Sequence, residues 1–287
     1  MNRSIAGAIV GVFVLASGTM PAGVSARQDS GFKDAIAAIA AGEDSAARGR
    51  AITDALERAG IDVRREDFSF PQFTGTNIVA TISAAGATKT LLLGAHYDRT
   101  PKGTGAIDNA ASCVVIERLF ADLKKTPLTH YAVTAVFFDL EERGLVGSQA
   151  YFARHQSDTR PDAAINFDIF GYGDTLFVDA SSPDGPLLAS LQDAAKDSPI
   201  HVRAISSMKD YPASDHRIMM GAGIDTLGVA LIDAPEIDAV LQHNGAPPRI
   251  VTIIHTPEDT IDKIRPDDME RAFPVIEKTV RLIDARN

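Results

Sequence analysis

The sequence predicts an α/β fold in three layers, with a mixed, largely parallel central sheet covered by helices on both faces. Two observations support this prediction. Apolar runs with strand character alternate along the chain with stretches of helical periodicity. In addition, 287 residues with 45% hydrophobic content are enough to bury one large core. We therefore expect a single domain over residues 27–287.

The first half of the chain supplies a helical region and then most of the expected strands. Residues 32–60 read as helical, and Gly60 gives them a typical C-terminal stop. Apolar and β-branched runs then predict four strands, at residues 62–70, 76–82, 89–96 and 131–140. Helical periodicity predicts helices at residues 109–125 and 147–155.

The second half continues the same alternation of strands and helices. Apolar runs predict three more strands, at residues 163–169, 175–180 and 225–232. Helices are predicted at residues 185–197, 213–221 and 268–284. Sheets of this type are usually covered by helices on both faces, which completes the predicted three layers.

The amino-terminal stretch MNRSIAGAIVGVFVLASG has the features of a secretory leader. A positive residue, Arg3, precedes an apolar segment from Ile5 to about Ala16, and the small-residue sequence VSA ends at Ala26. The apolar segment is short for a membrane span of about 20 residues. We expect a signal peptide over residues 1–26, no membrane anchor, and a secreted or periplasmic protein.

Charge and cysteine content exclude several classes of function. The formal net charge of −10 gives the protein little attraction for nucleic acids or anionic membranes. Cys113, the single cysteine, cannot form an intramolecular disulfide and lies in the apolar run ASCVVIERLF. A small buried side chain is therefore a better interpretation of Cys113 than a catalytic nucleophile.

Residues that bind metals or move protons follow three of the predicted strands. His96 and Asp98 come after the strand LLLGA, Glu141 and Glu142 after AVFFDL, and Asp168 ends AAINFD. Because ligands bind at the carboxyl ends of strands in open α/β sheets, we expect these five side chains to lie together.

Two loop residues are further candidates, Asp108 in GTGAIDNAAS and His255 in IIHTPEDT. A divalent cation would also explain the adjacent acids Glu141 and Glu142, because it offsets their repulsion and lowers their pKa values. Neighbouring side chains at a strand end point to different sides, so one acid can bind metal while the other faces the attacking water. Taken alone, the pair is better explained as acids in the first turn of a helix.

Five segments together resemble a known family. They are GAHYD at 94–98, GAIDNAAS at 105–112, EERGLVGS at 141–148, INFD at 165–168 and IHTPEDT at 254–260. In content and order they are similar to the signature blocks of metallopeptidase family 28, the co-catalytic dizinc aminopeptidases. The resemblance extends over roughly residues 60–285 and implies the zinc-dependent exopeptidase fold.

The resemblance implies a role for each metal-capable residue. His96 and Asp168 match the ligands of one metal, Glu142 and His255 match those of the other, and Asp108 matches the aspartate that bridges both. Two Zn²⁺ ions are the implied cofactors, although oxygen and imidazole ligands also suit cobalt or manganese. Room for a water between two such metals is typical of catalytic sites.

Two further roles and the activity follow from the same resemblance. Asp98 matches the carboxylate that orients His96, and Glu141 matches the general base. The implied reaction is hydrolysis of the first peptide bond in peptides with a free amino terminus. The implied partners are therefore peptide substrates with a free amino terminus, and the acidic net charge already argues against nucleic acids and anionic membranes.

Two positions depart from the family pattern. Ile107 precedes the bridging aspartate where relatives often have a polar residue, and Ile254 precedes the ligand histidine where some have an aromatic hydrogen-bond donor. The group that stabilises the oxyanion is therefore unassigned. Tyr211, beside an expected substrate loop, is a candidate substrate-binding donor, and a packing or surface tyrosine is at least as good an interpretation.

Three other functions are weighed against the aminopeptidase. A glutaminyl cyclase uses the same fold, but such relatives resemble single-zinc sites with tryptophan-lined pockets, and this chain has no tryptophan. A carboxypeptidase is disfavoured because those relatives carry a large domain before the first ligand block. A non-catalytic binding module would be expected to lack a ligand or the base, and all of them are present.

Overall fold

The computed structural model describes residue 1 and residues 29–155, 160–206, 211–242 and 247–286. The predicted leader, apart from Met1, lies outside the described residues. The eight strands are β1 (Val63–Phe70), β2 (Phe73–Ile82), β3 (Lys89–His96), β4 (Tyr131–Phe138), β5 (Ala163–Phe167), β6 (Thr175–Ala180), β7 (His201–Ile205) and β8 (Asp225–Ile232). The α-helices are α1 (Asp29–Ala40), α2 (Ser45–Arg58), α3 (Ala111–Lys125), α4 (Val146–Arg154), α5 (Pro186–Ala195), α6 (His216–Gly221), α7 (Ala234–Gln242) and α8 (Pro266–Ala285).

All eight strands belong to one sheet, in the order β1-β2-β4-β3-β5-β8-β6-β7. The four central strands, β4, β3, β5 and β8, are parallel to one another. Antiparallel pairings join β2 to both β1 and β4, and β6 to β8. The outermost strand β7 is parallel to β6. The predicted three-layer α/β fold with a mixed, largely parallel sheet is confirmed.

Side chains of the central strands alternate between two apolar layers. In β3, Leu91 and Leu93 pack into the larger core with α1, α2, α3 and α8, while Leu92 packs into a smaller core. That smaller core contains Tyr151 of α4 and Met219 of α6. Because both faces of these strands are covered, their sequences are almost continuously apolar.

Several element boundaries differ from those predicted. The helical region 32–60 is two helices, because Asp44 starts a second one by accepting a hydrogen bond from the Ala47 N–H at 2.7 Å. Gly60 does follow α2 with φ 73°, the left-handed conformation that glycine adopts without a steric cost. Strand β7 and helix α7 were missed. Each is short and mostly outside the core, so neither has a strong apolar pattern.

The three strands predicted to deliver metal-capable residues are neighbours at the centre of the sheet. The order β4-β3-β5 brings the carboxyl ends of all three to one edge.

None of the described helices has the length and apolar character needed to cross a membrane.

Candidate active site

The residues that follow the three central strands meet two loop residues at the carboxyl edge of the sheet. His96 is the last residue of β3, Asp168 is the first residue after β5, and Asp108 lies in a turn just before α3. The imidazole Nε2 of His96 is 3.1 Å from Asp108 Oδ1 and 3.4 Å from Asp168 Oδ1. These three side chains could hold a metal ion, and we call them the first ligand group.

A second ligand group shares Asp108 with the first. The Nε2 atom of His255 is 3.0 Å from Asp108 Oδ2 and 3.1 Å from Glu142 Oε2. In each group, one potential ligand atom per residue lies within 4.8 Å of the others. The two oxygens of Asp108 therefore face different groups, Oδ1 the first and Oδ2 the second.

The donor chemistry of both groups fits divalent metal ions. Each group offers one imidazole nitrogen, one terminal carboxylate and the shared carboxylate, a set that suits zinc. Two of the buried oxygens, Glu142 Oε1 and Asp168 Oδ1, form no hydrogen bond with the described protein atoms. Because buried polar atoms are normally paired, these unpaired oxygens are consistent with ligands directed at a cation.

The ligand groups perturb one another electrostatically. Although burial favours the neutral acid, hydrogen bonds from His255 and His96 lower the pKa of Asp108. Hydrogen bonds to Asp108 and Glu142 raise the pKa of His255 to about 10. Burial alone would lower the pKa of His96, yet the carboxylates of Glu141 and Asp168 raise it well above its usual value. Such mutual shifts are typical of a crowded functional site.

The adjacent acids Glu141 and Glu142 lie in a short 3₁₀ turn, Glu141–Arg143, that precedes α4. Because α4 begins only at Val146, the pair is not in its first turn, and the helix-cap explanation does not fit. Glu142 belongs to the second ligand group, and Glu141 belongs to neither. Burial, opposed by the charge of His96, raises the pKa of Glu141 to about 9.

Asp98 connects the first ligand group to this turn. Its Oδ1 lies 3.4 Å from Nδ1 of His96 and accepts a 3.0 Å hydrogen bond from the Glu141 N–H. Its Oδ2 accepts a 3.2 Å hydrogen bond from the Glu142 N–H. One carboxylate therefore contacts a ligand imidazole and also fixes the backbone of both adjacent glutamates.

The backbone around the ligands has unusual conformations. Leu140, Ile169 and His255 have φ values of 59°, 65° and 58°, in a region that non-glycine residues rarely occupy. Each is a metal-capable residue itself or an immediate neighbour of one.

Close packing explains a glycine in EERGLVGS, because a Cβ atom on Gly147 would lie 2.2 Å from the carbonyl oxygen of Asp139.

Asp259 supports the segment that carries the shared carboxylate. It accepts hydrogen bonds from the N–H groups of Ile107 at 2.8 Å and Asp108 at 3.2 Å. Its carbonyl oxygen accepts a hydrogen bond from the Thr104 N–H at 2.7 Å. The loop after His255 is thus tied to the loop of Asp108. Burial raises the pKa of Asp259 to about 6.

Sequence reasoning overlooked Arg48, whose side chain is completely buried behind the site. Its guanidinium donates to the carbonyl oxygens of Tyr97, Thr104 and Gly105. The sequence does contain a signal for it. Arg48 lies four and eight residues before Ile52 and Leu56, on the buried face of α2, where a charged residue is unexpected.

An apolar cavity opens next to the first ligand group. Its empty volume, counted together with open solvent at the mouth, is about 490 Å³, and among the described residues that line it Asp168 alone is charged. The other lining residues are apolar or aromatic: Ile169, Phe177, Tyr211, Pro212, Ala230, Ile232, Val240, Ile250, Val251 and Ile254. The buried hydroxyl of Tyr211 donates to the carbonyl oxygen of Phe177 at 3.4 Å, within the cavity wall.

Curated proteins are similar to this chain over about three quarters of its length. Endoplasmic reticulum metallopeptidase 1 of Homo sapiens is 28% identical over 236 residues, which cover 77% of this chain and 24% of that protein. A probable leucine aminopeptidase of Trichophyton verrucosum is 28% identical over 233 residues, covering 77% and 59%. The chain therefore spans between about a quarter and three fifths of the length of these curated relatives.

Solved structures show the same fold. A zinc aminopeptidase from Bacillus subtilis superimposes with a TM-score of 0.61 at 25% identity, covering 74% of this chain and 50% of that one. Glutaminyl cyclase from Porphyromonas gingivalis has a TM-score of 0.68 at 20% identity, covering 90% and 98%. The second similarity is evidence of a shared fold alone.

The family follows from the sequence comparison and the geometry of the site. The model of Peptidase family M28 matches residues 77–280, a range that includes every residue of both ligand groups. This range is most of the chain, and its fold is that of zinc aminopeptidases. The chain belongs to peptidase family M28.

Proposed function

We propose that this protein is an exported zinc-dependent aminopeptidase that hydrolyses the amino-terminal peptide bond of peptides. The observation that carries the proposal is the position of Asp108, whose two oxygens face two separate ligand groups. An acid shared in this way suits a site for two metal ions. His96 and Asp168 would hold one ion, and Glu142 and His255 the other.

Within this proposal the protein's own groups divide the chemistry. Two bound metal ions would polarise the substrate carbonyl and lower the pKa of the attacking water. Glu141, which belongs to neither ligand group, is the general base that takes the proton of that water and passes it to the leaving amine. Asp98 holds the backbone of Glu141 and contacts His96, so it is a positioning residue.

The surroundings of the site favour substrates with a free and apolar amino-terminal residue. The concentration of carboxylates suits the positive α-ammonium group of a peptide end. Of the lining residues that the structure describes in the adjacent cavity, only Asp168, at the side of the ligand group, is charged. We propose that this cavity accepts an aliphatic or aromatic side chain, with Tyr211 as part of its wall.

The alternatives make different chemical demands. A glutaminyl cyclase would act on an amino-terminal glutamine, whose amide would have to enter a cavity lined mainly by apolar side chains. A non-catalytic module would have no use for an acid placed beside the ligand groups and outside them. The position of Glu141 is therefore the feature that favours hydrolysis.

The central experiment compares Glu141→Gln with Glu142→Gln. Removing the base is expected to leave about two metal ions per chain while turnover falls by about 10²–10⁴-fold. Removing the ligand is expected to weaken binding of one ion first, and excess metal should partly restore activity. Metal content and the turnover of leucine anilide are measured for both variants. Equal loss of metal in both, or near-normal turnover of Glu141→Gln, would contradict the proposal.

Substrate end-modification tests the direction of cleavage. Acetylating the amino terminus of a peptide is expected to abolish its cleavage nearly completely, whereas amidating the carboxyl terminus is expected to change it little. The opposite pattern would indicate a carboxypeptidase. Formation of pyroglutamate from an amino-terminal glutamine, without hydrolysis, would indicate a cyclase.

Export stays a prediction from the leader sequence. It is supported by the charge and apolar pattern of residues 1–26. Sequencing of the secreted protein is expected to find Arg27 at or near its amino terminus. Recovery of the protein with an intact Met1 end, and only in detergent, would contradict it.

A further inference from the structure

Arg48 of α2 is a buried cation whose hydrogen-bond partners are backbone carbonyls. Its side chain is 0% exposed, and no described carboxylate lies within 4.0 Å of its guanidinium. Two terminal nitrogens donate to the carbonyl oxygens of Thr104 at 2.8 Å and Gly105 at 3.1 Å, and Nε donates to that of Tyr97. Burying a charge is costly unless its hydrogen bonds are satisfied, so this arrangement requires an explanation.

The three carbonyls belong to two segments that carry ligands of the first group. Tyr97 lies between His96 and Asp98, and Gly105 lies three residues before Asp108. The planar guanidinium therefore joins the end of β3 to the turn that precedes α3. It fixes the relative position of two segments whose ligand atoms are 3.1 Å apart.

A second set of contacts joins the same helical region to the same loop. Arg99 donates to the carbonyl oxygen of Glu43, just before α2, at 3.0 Å and also to that of Gly103 at 3.0 Å. The loop between β3 and α3 is thus held by Arg48 of α2 and also by the Arg99 contact to Glu43, just before α2. Arg48 itself precedes residue 77, where the match to the family begins.

We propose that Arg48 is a positioning residue for the first metal site, acting through the backbone of residues 97–105. This inference rests on the proposed function, because it assumes that His96 and Asp108 bind a metal. Arg48 therefore gives α2 a supporting role behind the first ligand group.

The chemistry at this position favours arginine over lysine. A lysine ammonium carries the same charge, but it is a single compact donor centre and cannot span carbonyls of two segments in a fixed geometry. An uncharged methionine fills a similar volume and removes the guanidinium donors from all three carbonyls, although that of Gly105 still accepts from the Ala110 N–H at 3.1 Å. The two substitutions therefore separate the effect of charge from the effect of geometry.

The test compares Arg48→Lys and Arg48→Met with Arg50→Met, a control at an exposed position of the same helix. Zinc affinity is measured by competition with a chelator, and the Co²⁺-loaded proteins are compared by visible absorption. Thermal unfolding and the kcat and KM for leucine anilide are measured in parallel. Because outer contacts of metal ligands typically change affinity or activity by about 10–100-fold, we expect a loss of this size at one metal site in Arg48→Met.

The pattern of results identifies a positioning role. Arg48→Lys should bind metal more tightly than Arg48→Met and less tightly than the unmodified protein. In both Arg48 variants KM should change less than kcat, and the Co²⁺ spectrum should shift. Arg50→Met should match the unmodified protein in every measurement. If both Arg48 variants keep the native affinity and spectrum, the inference is wrong, even if their melting temperatures fall. If Arg48→Met does not fold, Arg48→Lys alone decides by the same readouts. If the unmodified protein does not bind two metals, the proposed function itself fails.

Discussion

Replacing Tyr211 with phenylalanine separates two interpretations of this residue. The substitution removes one hydroxyl group and keeps the aromatic ring in the cavity wall. The ring centroid lies 4.8 Å from that of Phe177 and 5.2 Å from that of His216, and both contacts should survive. If Tyr211 only forms part of the wall, the enzyme should lose little.

The expected magnitude follows from the hydrogen bond that the hydroxyl makes. Its oxygen is 3.4 Å from the Phe177 carbonyl oxygen, well beyond the usual 2.7–2.8 Å of a hydroxyl donor. A bond of this length contributes at most about 1 kcal/mol, which corresponds to a shift of about 2–4 °C in melting temperature for a domain of this size. Loss of an oxyanion donor would instead slow turnover by about 10²–10³-fold.

The assay is the steady-state hydrolysis of leucine and alanine anilides by zinc-loaded protein. We expect Tyr211→Phe to keep its turnover rate within about threefold of the unmodified protein, because the hydroxyl stabilises no charge in the transition state. Tyr211→Leu, which removes the ring, is expected to raise KM for the leucine substrate more than for the alanine substrate. If Tyr211→Phe instead turns over substrate at least about 100-fold more slowly while its metal content is unchanged, this reasoning is refuted and Tyr211 is the oxyanion donor.

Two further predictions concern carboxylates that hold backbone segments. Asp259→Asn replaces one accepting oxygen with an amide NH₂ group, which cannot accept a hydrogen bond from Ile107 or Asp108. We therefore expect weaker metal retention and a decrease of about 1.5–3 kcal/mol in the free energy of unfolding. Glu258→Gln is the exposed control. Asp284 accepts three backbone N–H groups at the start of β4, which lower its pKa although burial acts against them. The stabilisation by Asp284 is present above the unfolded pKa of about 3.9 and is lost as pH falls through the lower folded pKa. In Asp284→Asn the free energy of unfolding should therefore change less with pH in the acid range, as measured by circular dichroism.

The convergence of the metal-capable residues was predictable because His96, Glu142 and Asp168 follow apolar strands. The sequence around His96, Glu142 and Asp168 contains a strand signal and a metal-capable residue within a few positions of each other. Parallel strands bring such positions to one edge of the sheet, and the order β4-β3-β5 does so here. Local pattern and topology therefore lead to the same edge.

The support behind the ligands was not predictable in the same way. Arg48 is separated from Gly105 by 57 positions in the sequence, and Asp259 is separated from Ile107 by 152. Local patterns describe only the helix or loop in which each residue lies. The missed elements β7 and α7 have a related cause, because their few apolar contacts leave a weak pattern in the sequence.

Backbone conformation at the ligands shows why the remaining detail depends on the folded structure. Propensity disfavours a positive φ for Leu140, and still more for the β-branched Ile169, so no local rule would assign these conformations. Such conformations cost about 1–3 kcal/mol each and persist only where surrounding contacts impose them. Contacts of this kind are present, since the Leu140 N–H is held by the side chain of Asp139 and the Ile169 N–H by that of Asn109. Leu140 directly precedes Glu141, and Ile169 directly follows Asp168. The tertiary contacts that impose the strained conformations therefore also orient these two carboxylates. A sequence pattern identifies the two acids but does not predict their orientation.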